Sequence, residues 1–143
     1  MRRCKRLFTV LTMVTCACSA LGSQAEQPAE KEAKTVAESW LPLLDSREYE
    51  ESWEALSPKT KERYSKRQWE AGMMGFRKPL GKLKSRTFNK VVYTKSLQGY
   101  PDYEGAIVRF DSVYENKESV MELVGVIHDK DGAWRVLVYT IPE

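Results

Sequence analysis

SVMELVGVIHDKDGAWRVLVYTI, Ser119–Ile141, is the stretch that decides the architecture. Val120, Val124 and Val126 alternate with Met121, Leu123 and Ile127, the two-residue period of a strand. Asp129-Lys130-Asp131-Gly132 is a hairpin signal, with Gly132 suited to a left-handed backbone. Beyond it Trp134, Val136 and Val138 alternate with Leu137, Tyr139 and Ile141, so an antiparallel partner strand is expected. Both faces of this pair are apolar, whereas a sheet covered on one side alternates apolar with polar. The second face is therefore expected to be covered, to line a cavity or to meet another subunit. A homodimer through the outer sheet face is carried forward as the partner expectation.

Working upstream, Ala106 to Tyr114 reads as another strand, and Lys84 to Leu97 as one too long to be flat, so a bend is expected. Before Gly81 the period becomes helical. Ala33, Val36, Ala37, Trp40, Leu41 and Leu44 form one stripe, in which Pro42 is expected to kink the last turn. Asp45 with Glu48 reads as a capping box for a helix carrying Tyr49, Ser52, Trp53 and Leu56. Ser57-Pro58 is an N-cap followed by proline at the first helical position. Ser65 with Gln68 opens a helix whose inner stripe is Trp69, Met73, Phe76 and Leu80, ended by Pro79 and Gly81. The pattern predicts an α+β fold: three N-terminal helices packed on a curved four-stranded antiparallel sheet.

All three cysteines, Cys4, Cys16 and Cys18, precede this domain. There Arg2, Arg3, Lys5 and Arg6 lead into the uncharged run Leu7 to Leu21, and Ser23-Gln24-Ala25 offers small residues for cleavage. The run is shorter than the roughly 20 residues of a membrane-spanning helix. The expected organisation is a signal peptide over residues 1–25, a flexible linker over 26–34 and a single α+β domain over 35–143. A periplasmic or secreted location follows, with lipidation at Cys16 or Cys18 as the alternative. The exported chain would hold no thiol, which excludes disulfides, thiol catalysis and thiolate metal sites.

The pI of about 8.7 for the full sequence belongs to the precursor. Without the leader's four bases, 19 of the 23 basic residues face 20 acidic ones. Charge is banded: Glu26 to Glu54 holds nine acids and three bases, and Lys59 to Lys95 twelve bases and two acids. The bases of that band read as solvated surface, and a basic module docking on anionic envelope surfaces is kept as an alternative.

Trp40-Leu41, Asp45, Tyr49, Ser52-Trp53, Trp69, Arg77, Pro79-Leu80-Gly81 and Arg86, closing with Gly132, Trp134-Arg135-Val136, Tyr139 and Ile141, form a pattern with a known likeness. It resembles a family of small exported bacterial proteins known as domain of unknown function 4019. The likeness spans about Ala33 to Ile141. It implies export without an assigned activity, and supplies no catalytic residue. The helix-wrapped curved sheet is also similar to nuclear transport factor 2-like (NTF2-like) and cystatin-like architectures, a likeness of fold alone.

Glu122 stands inside an apolar strand, where an unpaired carboxylate is costly. Two readings are open: a cavity acid with a raised pKa, or a partner of Arg109 or another base at the sheet edge. Tyr93, Arg109, Glu122 and Tyr139 are the candidate ligand-binding residues, and no catalytic residue is assigned. His128, the single histidine, reads as a solvated strand end, and one histidine makes a poor metal site. No cofactor, metal or nucleic-acid partner is expected. The leading expectation is a non-catalytic exported domain that binds a small ligand or an envelope protein. A small pocket enzyme of the NTF2-like type, using Glu122 and tyrosines, is the competing class.

Overall fold

In the computed structural model, which describes residues 27–142, four helices precede four strands. They are α1 (Pro28–Asp45), α2 (Tyr49–Glu54), α3 (Pro58–Lys61) and α4 (Lys66–Arg77), then β1 (Leu83–Thr94), β2 (Gly105–Tyr114), β3 (Val120–His128) and β4 (Trp134–Thr140). The expected signal peptide and its cysteines lie outside the described residues. Among the described residues no helix is long and apolar enough to cross a membrane.

α1 begins at Pro28, ahead of the domain boundary placed at residue 35. Gln27 and Glu30 form a capping box and proline occupies the first turn, where its missing N–H costs nothing. Ala33, Ala37, Trp40, Leu41 and Leu44 are its buried stripe, and Pro42 sits within a helix that runs on to Asp45. The short α3 adds a fourth helix to the three expected, opened by Ser57 accepting from the Lys59 N–H. Ser65 and Gln68 form the expected capping box of α4. Asp45 does not cap α2: Glu48 holds that position without a side-chain bond, because the Asp45 carboxylate is engaged elsewhere.

The strands form one antiparallel meander in the order β1-β2-β3-β4, with the helices on one face. β1 carries the expected bend as two register shifts, at Leu83/Ser85 and Phe88/Lys90. A third shift corrects the expected alternation of β4. Val126 pairs with Val136 but Gly125 pairs with Val138, leaving Leu137 as an extra residue. Such a bulge inverts the side-chain phase beyond it. Val136 and Tyr139 are consequently both buried, while Val138 turns outward, nearly half exposed. On the outer face Val92, Ile107 and Val138 form a half-exposed row on either side of Gly125, while Ile127 is covered.

Helices and sheet meet through Trp40 and Trp69, whose rings lie 6.1 Å apart, with Tyr139 5.8 Å from Trp40. Both indole N–H groups end on one residue. Trp40 donates to the Ser52 carbonyl at 2.9 Å and Trp69 to the Ser52 hydroxyl at 3.0 Å, joining α1, α2 and α4. The α2–α3 corner is fastened to β4 by Ser57 N–H to the Val136 carbonyl at 2.9 Å and Thr60 hydroxyl to the bulged Leu137 carbonyl at 2.7 Å.

Two backbone features shape the ends of α1 and α4. Gly81 has φ 75°, and a β-carbon there would lie 2.9 Å from Glu115, so only glycine fits this close approach to the β2–β3 turn. Arg47 has φ 62°, the one described non-glycine residue with positive φ, at the position after a helix C-cap where glycine is usual. The left-handed conformation costs an L-residue about 1–2 kcal/mol, and glycine's extra unfolded-state freedom offsets about 0.4–1 of that. Arg47→Gly is therefore expected to raise stability by about 0.5–1 kcal/mol in urea unfolding. An unchanged or lowered midpoint would show that the arginine side chain makes up for its backbone strain.

Candidate functional site

One cluster gathers seven residues from both long helices and all four strands, and five of them bond directly to a single carboxylate. Glu122, on β3, is completely buried and accepts six hydrogen bonds. Its Oε1 takes Arg77 Nη1 at 3.0 Å, Arg86 Nη2 at 3.2 Å and the hydroxyls of Tyr114 and Tyr139, each at 2.5 Å. Its Oε2 takes Arg86 Nε and the Ser112 hydroxyl, each at 2.6 Å. Each phenol bridges cation and carboxylate: while donating to Glu122, Tyr139 accepts from Arg77 at 2.7 Å and Tyr114 from Arg86 at 3.1 Å. Asp45 completes the set, accepting from Arg86 at 2.6 and 2.9 Å and from Arg77 Nη2.

Local structure explains each placement. Arg77 is the last residue of α4, where a cation complements the helix dipole. Asp45, at the C-terminus of α1, is adverse to that helix's dipole, and two guanidiniums compensate it. Arg86 pairs across the sheet with Ser112, and Ser112 with Val120, which brings all of them to the inner face beside Glu122. Two anions and two cations leave the cluster neutral, and among the described residues no buried side-chain nitrogen or oxygen lacks a partner.

Burial alone would raise the Glu122 pKa. Arg86 beside it, with the Ser112 and Tyr114 hydroxyls, outweighs burial and holds the pKa at about 2, against 4.5 in the open. Burial raises the Tyr114 and Tyr139 pKa values, and the Glu122 charge raises them further. Both phenols stay protonated donors. Glu122 is thus a paired, ionised anchor, and the raised-pKa cavity acid is the reading that its surroundings oppose.

Of the four candidate residues, the structure brings together Glu122 and Tyr139. Arg109 lies on the outer face with Asp111, 2.9 Å away, so the base that Glu122 finds is Arg77 and Arg86 in place of Arg109. Alternation is the reason: Arg109 and Glu122 stand on strands whose inward residues are Phe110 and Glu122, an opposed pair. Tyr93, paired with Ala106, is at the far end of the inner face, half-buried against the core, its pKa raised by burial and by Glu104. His128 stacks on Trp134 at 4.9 Å and meets the Gly132 carbonyl at 3.1 Å, a strand end as expected. No group of His, Cys, Asp or Glu among the described residues could hold a metal ion.

Above the cluster opens a pocket of about 340 Å³, within the range of small-molecule sites. Leu44, Asp45, Arg47 and Tyr49 form one wall, Met74, Arg77 and Lys78 the other, and Gly81 with Leu83 the floor's edge. Glu122 does not line it; Arg77 stands between. Sequence reasoning missed Arg77, Arg86 and Asp45 as site residues, although all three, with Tyr139, belong to the pattern that carries the family likeness.

The family model described as protein of unknown function (DUF4019) matches residues 36–139. The chain belongs to this family. A Campylobacter jejuni crystal structure, described as an NTF2-like transpeptidase, is similar in fold with a TM-score of 0.51 and 17% identity. The match covers 73% of this chain and 96% of that one. At that identity it shows an NTF2-like fold alone. No curated protein matches the chain.

Removing one charge from the cluster leaves the others buried and unbalanced, so Glu122→Gln is expected to cost about 3–5 kcal/mol in urea unfolding. The pH dependence has a definite sign. A folded pKa of about 2 below an unfolded 4.5 gives stability that is complete above pH 4.5 and lost as pH falls through 2. In Glu122→Gln this acid-sensitive part, on the order of 3 kcal/mol, is expected to vanish from the stability profile.

Proposed function

We propose that this protein is an exported, non-catalytic domain that binds a small ligand in the pocket between α1, α4 and β1. The observation that carries this reading is the complete saturation of Glu122. A general acid or base must exchange a proton with the substrate, and this carboxylate is ionised, fully bonded and separated from the pocket by Arg77. Tyr114 and Tyr139 are committed to the same carboxylate. The pocket lining has no serine, threonine or cysteine to serve as a nucleophile. The transpeptidase description therefore stays with the C. jejuni protein. A concave, partly apolar space with a few fixed polar groups is the form of a binding site.

Export rests on the basic head, apolar run and small-residue cleavage site of residues 1–25. Native mass spectrometry of the purified protein, incubated with a small-molecule extract of the exported fraction, tests binding. A stoichiometric adduct, released with its mass unchanged, is expected, and Met74→Trp, which fills the pocket, is expected to reduce it at least tenfold. A ligand released chemically altered would return the enzyme reading. Absence of any adduct would remove the binding reading.

A further inference from the structure

We infer that the pocket selects a small organic anion, a monoanionic head group carried on an apolar body. This rests on the binding reading above and specifies its ligand. The wall residues Arg47, Arg77 and Lys78 outnumber Asp45, and the buried cluster behind them adds Arg86 against Glu122. Those four bases and two acids sum to +2. The α1 and α4 C-termini, each worth about half a negative charge, reduce this by about one and leave the site positive.

Arg77 supplies the specific donor. It is 94% buried, its Nη1 and Nη2 bond to Glu122, Tyr139 and Asp45, and its Nε–H has no acceptor among the described residues. Since no fully buried side-chain nitrogen there is unpaired, this N–H keeps some access to solvent, and Arg77 is a lining residue of the pocket. A guanidinium fixed on its other edge presents that donor with little ordering left to do on binding. Arg47 and Lys78 flank it as exposed cations at the ends of α1 and α4. Among the same lining residues Leu44, Met74 and Leu83 offer apolar surface for the body of the ligand, and Met74 is 55% exposed. Arg47 holds a strained left-handed backbone where glycine would be easier, which fits a side chain kept for its charge.

Octanoate, octanol and octylammonium share a tail and differ in head charge, and the Met74 methyl resonance of ¹³C-methionine-labelled protein reports each at the pocket. Octanoate is expected to shift it saturably, at least tenfold more tightly than octanol, and octylammonium to leave it unmoved. In the Arg47→Gly, Lys78→Gln double variant octanoate affinity is expected to fall tenfold or more while Tm holds or rises, which separates lost charge from lost folding. Octanol or octylammonium binding as tightly as octanoate, or a double variant that binds octanoate unchanged, overturns the anion selectivity and leaves the binding pocket standing. A Met74 signal unmoved by all three probes overturns the selectivity and counts against the pocket itself.

Discussion

A carboxylate with no access to water constrains this domain more than any other group. An ionised Glu122 at the centre of a protein is tolerable only when its charge is matched and its lone pairs are filled. Meeting that condition draws Arg77 from α4, Arg86 from β1, Ser112 and Tyr114 from β2 and Tyr139 from β4, while Asp45 of α1 balances the second guanidinium. Each of these bonds crosses between different elements, and those of Arg77 and Arg86 join elements distant in sequence. The cluster therefore specifies how helices and sheet sit on one another, where an apolar core of Val, Leu and Trp would admit several packings.

The same requirement shapes the surface above it. Arg77 reaches Glu122 from the last residue of α4, just before the Pro79-Leu80-Gly81 turn. That turn is latched to the β2–β3 connection, with Asn116 donating to the Pro79 carbonyl at 3.1 Å and the Lys82 N–H to Glu115 at 2.8 Å. Asp45 likewise fixes where α1 stops, and the next residues turn through Arg47 in its left-handed conformation. Two helix ends held a fixed distance apart by ion pairs leave a gap between them, and the gap is the pocket. Buried ion networks are seldom the most stable way to fill a core. Here the network also sets the position and charge of a pocket wall.

Much of this was readable before the chain was folded. The tryptophan stripe, the Ser65–Gln68 capping box, the long bent β1 and the hairpin at Gly132 each follow from spacing and local chemistry. Glu122 and Tyr139 stood out as polar groups in apolar strands. Asp45 misled because an aspartate three residues before a glutamate satisfies the capping-box pattern, and local pattern cannot reveal two arginines arriving from residues 77 and 86. Arg77 and Arg86 were hidden in a basic band whose other members are largely solvated. The β4 bulge, too, is invisible to alternation, because Leu137 is as apolar as its neighbours and nothing in its type marks it as the extra residue.

The sequence by itself determined the α+β class, the order of its elements, the hairpin-linked sheet and the family to which the chain belongs. Those features depend on the 3.6- and two-residue periods, on capping and on turn residues, all of which act over a few positions. Only the tertiary structure decided which bases neutralise Glu122, which face Tyr139 occupies and that a charged pocket lies over them. The arginines reach Glu122 from 36 and 45 residues away, and Tyr139 is turned toward it by one bulge. Partners are thus selected where strand register and helix ends bring groups together in a medium that screens charge poorly.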